Sequence, residues 1–182
     1  KDEVISKYGK NANKKIEFGI SPFAVYRTNS KYFENGEGGW YRGSNNAPFS
    51  FQCYESLYSD IYLWMKEGWI DYVTPQDYFA LDNCKLTEDG KYVEIVKYAD
   101  VVEWWNEISK ETKTKLYIGM AIYRVTDEAG VWNNPEELID QLKVNSMYGN
   151  VSGSIMFTFK NFKKTEAKVL SEVQEKLKKI WK

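Results

Sequence analysis

The chain contains no histidine in its 182 residues. That absence excludes Ser-His-Asp and Cys-His catalysis, histidine metal sites and histidine-based pH switching within it. Cysteine is nearly absent too. Cys53 and Cys84 form no CxxC pair and no zinc pattern, and they read as two free thiols, a disulfide between them being the alternative. No metal or cofactor is therefore expected. No apolar run approaches the ~20 residues that span a bilayer. Neither sign of charge dominates: 25 basic residues stand against 26 acidic ones, for a net charge of -1. Such a balance leaves no electrostatic footprint for nucleic acid or an anionic membrane. Lys1 opens in a charged segment, with no signal peptide. The chain reads as either a cytoplasmic protein or a piece of a longer one, and the second is preferred.

What is present is aromatic. Fourteen Tyr, nine Phe and seven Trp make up 16% of the chain. Aromatics fill a core first, and at the mouth of a fold they give flat apolar faces that suit the C–H faces of sugar rings. With 43% apolar and 28% charged residues the chain is globular, and its length predicts one domain over 1–182.

The hydrophobic pattern alternates between two periods. Short apolar runs predict strands near 16–21, 70–76, 115–121 and 153–159, each nearly all apolar, as when both faces of a sheet are covered. Helical spacing predicts helices over 54–66, with Gly68 as the stop, and over 98–109, where Tyr98, Val101, Val102, Trp105 and Ile108 share a face. Asn134-Pro135-Glu136-Glu137 predicts a third helix start, with Asn134 as cap and Glu137 completing a capping box. A last helix, capped by Thr165, turns Val169, Leu170, Val173, Leu177, Ile180 and Trp181 inward and a lysine-rich face to solvent. The residues before the first strand read as a helix end, and 23–49 and 77–93 as loops. Repeated strand–loop–helix units imply an α/β fold with right-handed crossovers and a parallel sheet of four strands. Half of a (β/α)₈ barrel and a doubly wound sheet fit this periodicity equally well.

The strand motifs carry a resemblance. Phe18-Gly19-Ile20-Ser21-Pro22-Phe23 with Arg27 comes first, then Asp71 through Tyr78, then Leu116-Tyr117-Ile118-Gly119 with Ala121 and Tyr123. Ser152 through Phe157 follows, with Trp132 and Asn134-Pro135-Glu136-Glu137 between the last two. In this order they resemble the glycosyl-hydrolase-like family of bacterial lipoproteins, over nearly the whole chain. The resemblance implies a TIM (β/α)₈ barrel of which these are the fifth to eighth strands, the carboxyl-terminal half. It implies a glycoside hydrolase acting on an oligosaccharide or polysaccharide such as the peptidoglycan of the cell envelope, and hence an extracytoplasmic location. The family's acidic motif, Asp-Gly-x-x-x-Asp-Asp-Tyr, belongs to the fourth strand. On this reading the present half supplies substrate-binding residues and is inactive alone, its partner being the missing half barrel or a second copy. The alternative is a non-catalytic carbohydrate-binding half barrel.

Ligands of such folds bind outside the carboxyl ends of the strands, which selects the candidate residues. Gln76 matches a Pro-Gln-x-Tyr motif and suits a sugar hydroxyl, or else satisfies nearby backbone. Tyr78 and Tyr123 suit stacking on a glycan, and Phe157 suits the floor of the site or the core. Ser21 is a poor nucleophile without histidine and is read as a binding residue. Arg27 suits a carboxylate such as the lactyl acid of a muramic sugar, or an ion pair that orders its loop. Glycoside hydrolysis normally needs two carboxyl groups, about 5–5.5 Å apart for retention or about 6.5–9.5 Å for inversion. Asp77 is the acid at a strand end, but alternation turns it away from the barrel axis if Gln76 and Tyr78 face it. Asp71 falls at the opposite end of its strand, and Asp60 and Glu103 read as ion-pair partners on helices.

Overall fold

A computed structural model describes residues 7, 16–28, 43–44, 51–86, 88–163 and 167–181. Thr165 and most of 29–50 lie outside these, and with them the predicted Thr165 cap and much of the long loop. Among the described residues the strands are β1 (Gly19–Ile20), β2 (Tyr72–Val73), β3 (Gln76–Asp77), β4 (Cys84–Leu86), β5 (Tyr92–Glu94), β6 (Lys115–Met120) and β7 (Val151–Met156). The helices are α1 (Cys53–Leu57), α2 (Ile61–Lys66), α3 (Tyr98–Ser109), α4 (Glu137–Met147) and α5 (Lys168–Ile180).

The sheet is parallel and its neighbours follow chain order. β1 pairs with β2, β2 and β3 both pair with β6, and β6 pairs with β7. β2 and β3 are one strand interrupted at Thr74-Pro75, since proline cannot donate to a ladder. The ladder nevertheless continues through it: Thr74 N–H reaches Ile20 O at 2.8 Å, Gln76 N–H reaches Pro22 O at 2.8 Å, and Gly119 N–H reaches Pro75 O at 2.9 Å. A sheet that adds each new strand beside the last is wound in one direction. That order is compatible with one half of a (β/α)₈ barrel, and the sheet is not closed. Among the described residues antiparallel pairing is confined to the β4–β5 hairpin, which falls largely in the predicted 77–93 loop.

One face of the sheet is sealed by helices. Val73, Leu116, Ile118 and Met120 have no exposed surface, and they join Trp105 and Ile108 of α3, Leu138 of α4 and Leu170 of α5 in one core. Trp105 also donates its indole N–H to Ala24 O at 2.7 Å, tying α3 to the loop after β1. The buried set of α3 contains every residue assigned to its inward face.

Four predicted details are corrected. The helix expected over 54–66 is two helices, because Tyr58 adopts a left-handed φ of 53° and Asp60 starts α2 by accepting the Leu63 N–H at 3.0 Å. Asp60 is thus a cap, held also by the Tyr26 hydroxyl at 2.8 Å, rather than an ion-pair partner. Leu57, assigned inward, is 44% exposed at the end of α1, and Ile180 and Trp181 are 50% and 59% exposed at the frayed end of α5. Glu137 closes no capping box; its carboxylate is buried and accepts the Leu81 N–H and the Gln141 side-chain amide, both at 2.8 Å. Asn134 makes the turn instead, accepting the Glu136 N–H at 3.0 Å. Gly68 ends α2 as expected, with a φ of 67°.

Candidate functional site

The tips of the four strand positions carry the predicted residues. Ser21 follows β1, Gln76 is in β3 with Tyr78 just beyond, Tyr123 lies in the short 3₁₀ turn Ile122–Arg124 after β6, and Phe157 follows β7. Tyr78 is the centre of an aromatic group. Its ring meets Tyr123 edge-on at 5.6 Å and stacks on Phe157 at 5.9 Å, while Tyr123 and Phe157 meet edge-on at 6.1 Å. The Tyr123 N–H donates to Phe157 O at 3.3 Å, which locks the two tips together. Tyr123 is 42% exposed and Phe157 53% exposed, so this group is a surface and not core. Burial, then the neighbouring Tyr123, pushes the Tyr78 phenol above its ordinary value. At neutral pH it keeps its proton and can donate a hydrogen bond.

Gln76 and Ser21 form a second group. The Gln76 side-chain N–H₂ donates to Ser21 O at 2.8 Å, and the Ser21 hydroxyl donates to Thr74 O at 2.9 Å. These bonds fix the plane of the amide. Its carbonyl Oε1 has no hydrogen-bond partner among the described residues, leaving an oriented acceptor. Arg27 stands apart from both groups: it pairs with Glu55 of α1 and lies 4.4 Å over the Tyr54 ring.

Asp77 faces the other way. It has no exposed surface, and neither carboxylate oxygen has a hydrogen-bond partner. Burial pushes its carboxyl well above the ordinary carboxylate range, and the Phe79 amide, too poorly placed for a hydrogen bond of ordinary geometry, opposes that only in part. It lies on the helix side, close enough to Tyr98 to raise that phenol as well, after the larger effect of burial. The Tyr98 hydroxyl donates to Asn145 at 2.9 Å, and Asn145 donates to Ser154 at 2.9 Å. Sealed behind the sheet, Asp77 has no access to a substrate on the opposite face.

Reasoning from the sequence missed one pair. Phe23, just after β1, and Phe51, just before α1, meet edge-on at 5.1 Å and are 47% and 53% exposed. An aromatic directly behind a strand-ending proline was the available signal. Its partner lay across the long loop, where spacing says nothing about contact. The thiols are both free: Cys53 is buried, which raises its pKa to about 11, and Cys84 is exposed. Among the described residues no group of three acids or cysteines is placed to hold a metal ion, and no helix is long and apolar enough to cross a membrane.

Comparison with known proteins places the chain in a family. Residues 3–136 match the profile of the family described as glycosyl hydrolase-like 10. The chain belongs to that family. It is similar to glycosyl hydrolase YngK of Bacillus subtilis (strain 168), with 30% identity over 156 residues, covering 85% of this chain and 27% of the relative. It is likewise similar to glycosyl hydrolase DigH of Escherichia coli (strain K12), with 30% identity over 148 residues, covering 78% of this chain and 29% of the relative. The chain thus spans less than a third of the length of the curated relatives it matches. The glycosyl hydrolase-like 10 match includes Ser21, Gln76, Tyr78 and Tyr123, and it ends before Phe157.

Proposed function

We propose that this chain forms one wall of a glycosidase-type barrel, its carboxyl-terminal half, and that the wall binds the glycan. The observation that carries this reading is the convergence of Tyr78, Tyr123 and Phe157 at the carboxyl ends of neighbouring parallel strands, with centroids 5.6 to 6.1 Å apart. A sugar ring stacks its C–H face on such a surface, and its hydroxyls meet the Tyr78 phenol and the free carbonyl of Gln76. Ser21 holds Gln76 in place. Arg27, already paired with Glu55, orders its loop rather than meeting a substrate carboxylate. The substrate class we favour is a cell-envelope glycan such as a peptidoglycan strand, handled outside the cytoplasm.

The catalytic acid and base belong, on this reading, to the part of the barrel that closes the sheet. Among the described residues β1 and β7 have no strand on their outer edges, and Phe23, Ile155 and Phe157 are exposed on the face between them, so the cover we favour is further strands of the same barrel. A second copy is the substitute when that part is missing. A non-catalytic carbohydrate-binding role is the competing reading, favoured by the burial of the one acid that stands at a strand tip. Titration with a β-1,4-linked N-acetylglucosamine tetramer tests the binding surface. Saturable binding, weakened about tenfold or more (~1.4 kcal/mol or more) in Tyr78→Ala and in Tyr123→Ala, supports it. Identical binding in both variants refutes it. Turnover is the arbiter between the two roles: the 182-residue chain is expected to be inactive, and co-expression with the amino-terminal half of a relative's barrel is expected to restore hydrolysis.

A further inference from the structure

Beside the aromatic surface lies a cleft with different chemistry. It has a volume of about 340 Å³ and is bounded by the exposed rings of Phe23 and Phe51, with Gln76, Phe79, Ile95 and Val96 completing it. Its deeper wall is core: Val96 is 3% exposed, and Ala24 and Val25, which also line it, are 2% exposed each. Among its described lining residues only Gln76 carries a polar side chain. The lining comes from three separate stretches: the chain after β1, the approach to α1, and the segment from β3 to the exit of the β4–β5 hairpin.

The cleft and the aromatic surface meet along 76–79. Tyr78 belongs to the surface and Gln76 and Phe79 to the cleft, and the Tyr78 N–H donates to Gln76 O at 2.9 Å, so a tight turn sets the two side by side. Phe23 and Gln76 also line a second cavity of about 260 Å³, which reaches Ser21, Ser59 and Trp64. The oriented amide of Gln76 therefore stands between two spaces whose described lining is mostly apolar. A sugar held on the Tyr78 surface beside them can place an apolar appendage in the cleft.

We propose that this cleft is a subsite for an apolar substituent of about six carbons carried by the sugar that the aromatic surface binds. The assignment rests on the glycan-binding reading above and adds to it what that sugar carries. Size sets the class. A buried apolar cavity of roughly 150 Å³ suffices for benzene, so a six-carbon chain or ring enters this cleft of about 340 Å³ with room to spare, while an acetyl methyl leaves most of it empty. Chemistry sets the rest: apolar walls with one carbonyl acceptor at the mouth select an apolar group on a sugar that places a donor, an amide N–H or a hydroxyl, at that mouth.

The test is calorimetric titration of the full chain with the methyl, butyl and hexyl β-glycosides of N-acetylglucosamine, below their micelle concentrations. A second arm uses the methyl glycoside of N-hexanoylglucosamine. Affinity is expected to rise roughly three- to fourfold per added methylene from methyl to hexyl, the gain of burying each one. The arm that shows the gain, glycosidic chain or amide-linked chain, identifies the point of attachment. Two variants locate the effect. Phe51→Ala removes an exposed rim and Ile95→Trp fills the cleft, and each is expected to flatten the length dependence while methyl-glycoside binding stays within twofold. Equal Kd for methyl and hexyl members in both arms overturns the subsite and leaves the glycan-binding surface standing. A length dependence kept in full by both variants overturns it as well. Absence of binding by every member overturns the surface and the subsite together.

Discussion

The two faces of the parallel sheet are made from the same strands and behave as different materials. On the helix side Val73, Leu116, Ile118 and Met120 have no exposed surface. On the opposite side Phe23, Ile155 and Phe157 are 47%, 46% and 53% exposed, although their side chains are as apolar. In β7 the two environments alternate, with Ile155 open and Ser154 held by Asn145. Among the described residues, stability therefore resides on one side, and the other keeps large apolar side chains exposed. Substitution on the sealed side should have the largest effect. Ile118→Ala removes buried methyl groups from a packed site and is expected to lower the unfolding free energy by about 2–5 kcal/mol in urea or guanidinium titrations. A loss below about 1 kcal/mol would mean that the core repacks freely and that the contrast between the faces is weaker than it looks.

Gly119 sharpens the comparison, because it sits where the two faces share one backbone. A Cβ built there would meet Pro75 O at 2.8 Å, closer than real side chains approach, and the obstructing atom is backbone. Pro75 cannot retreat easily, since its carbonyl already accepts the Gly119 N–H at 2.9 Å. Gly119→Ala should cost about 1–3 kcal/mol by overpacking. It should also displace Gln76, which pairs with Gly119 in the ladder, so glycan affinity is expected to fall together with Tm. Loss of Tm with unchanged glycan affinity would separate the β3 tip from the binding surface.

Asp77 is the exception on the sealed side, a buried carboxyl with neither oxygen in a hydrogen bond of ordinary geometry. Its folded-state pKa is raised, chiefly by burial. The folded state thus holds this proton more tightly than the unfolded chain, whose Asp titrates near ~3.9. The favourable contribution of the neutral acid is complete below that value. It is lost as pH rises toward the folded-state pKa, at no more than about 1.4 kcal/mol per pH unit for one proton. The group that interacts with it across the helix side is the Tyr98 phenol on α3, which brings no positive charge to stabilise an ionised Asp77. Asp77→Asn is expected to flatten the pH dependence of unfolding above pH ~4 and to raise stability at neutral pH. A steeper dependence in the variant would show that Asp77 is ionised and paired.

Much of this contrast was legible before any coordinates. The helix Tyr98–Ser109 declared its own limits, because twelve residues with one apolar face leave little freedom of register. The run 115–121 against the observed Lys115–Met120 did the same for a fully buried strand. The candidate residues at the strand tips followed from strand order. What stayed hidden was long-range. The break at Tyr58 carries no glycine to announce it, and Asp60 is fixed by Tyr26 from another element. Glu137 left its expected cap because the backbone of Leu81 needed an acceptor. The start of α5 is capped by Asp127, which accepts the Lys168 and Val169 N–H groups, both at 2.9 Å, from a loop that no local spacing connects to it. The Phe23–Phe51 contact belongs to the same class.

The smallest expected effect is on the open face, and it tests the comparison most directly. Ile155 pairs with Gly119 across the strands and is 46% exposed. If that face contributes little to folding of the isolated chain, Ile155→Thr keeps the β-branched shape favoured in a strand and should change unfolding free energy by no more than about 0.5 kcal/mol. The same change should be felt elsewhere. An apolar face between two open strand edges drives association, so analytical ultracentrifugation should show weaker self-association of Ile155→Thr at equal concentration. A variant that loses several kcal/mol would show that Ile155 is already packed within one copy. A wild-type chain that stays monomeric at high concentration would show that its own residues cover the face, and the distinction between a sealed and a waiting side of the sheet would fail.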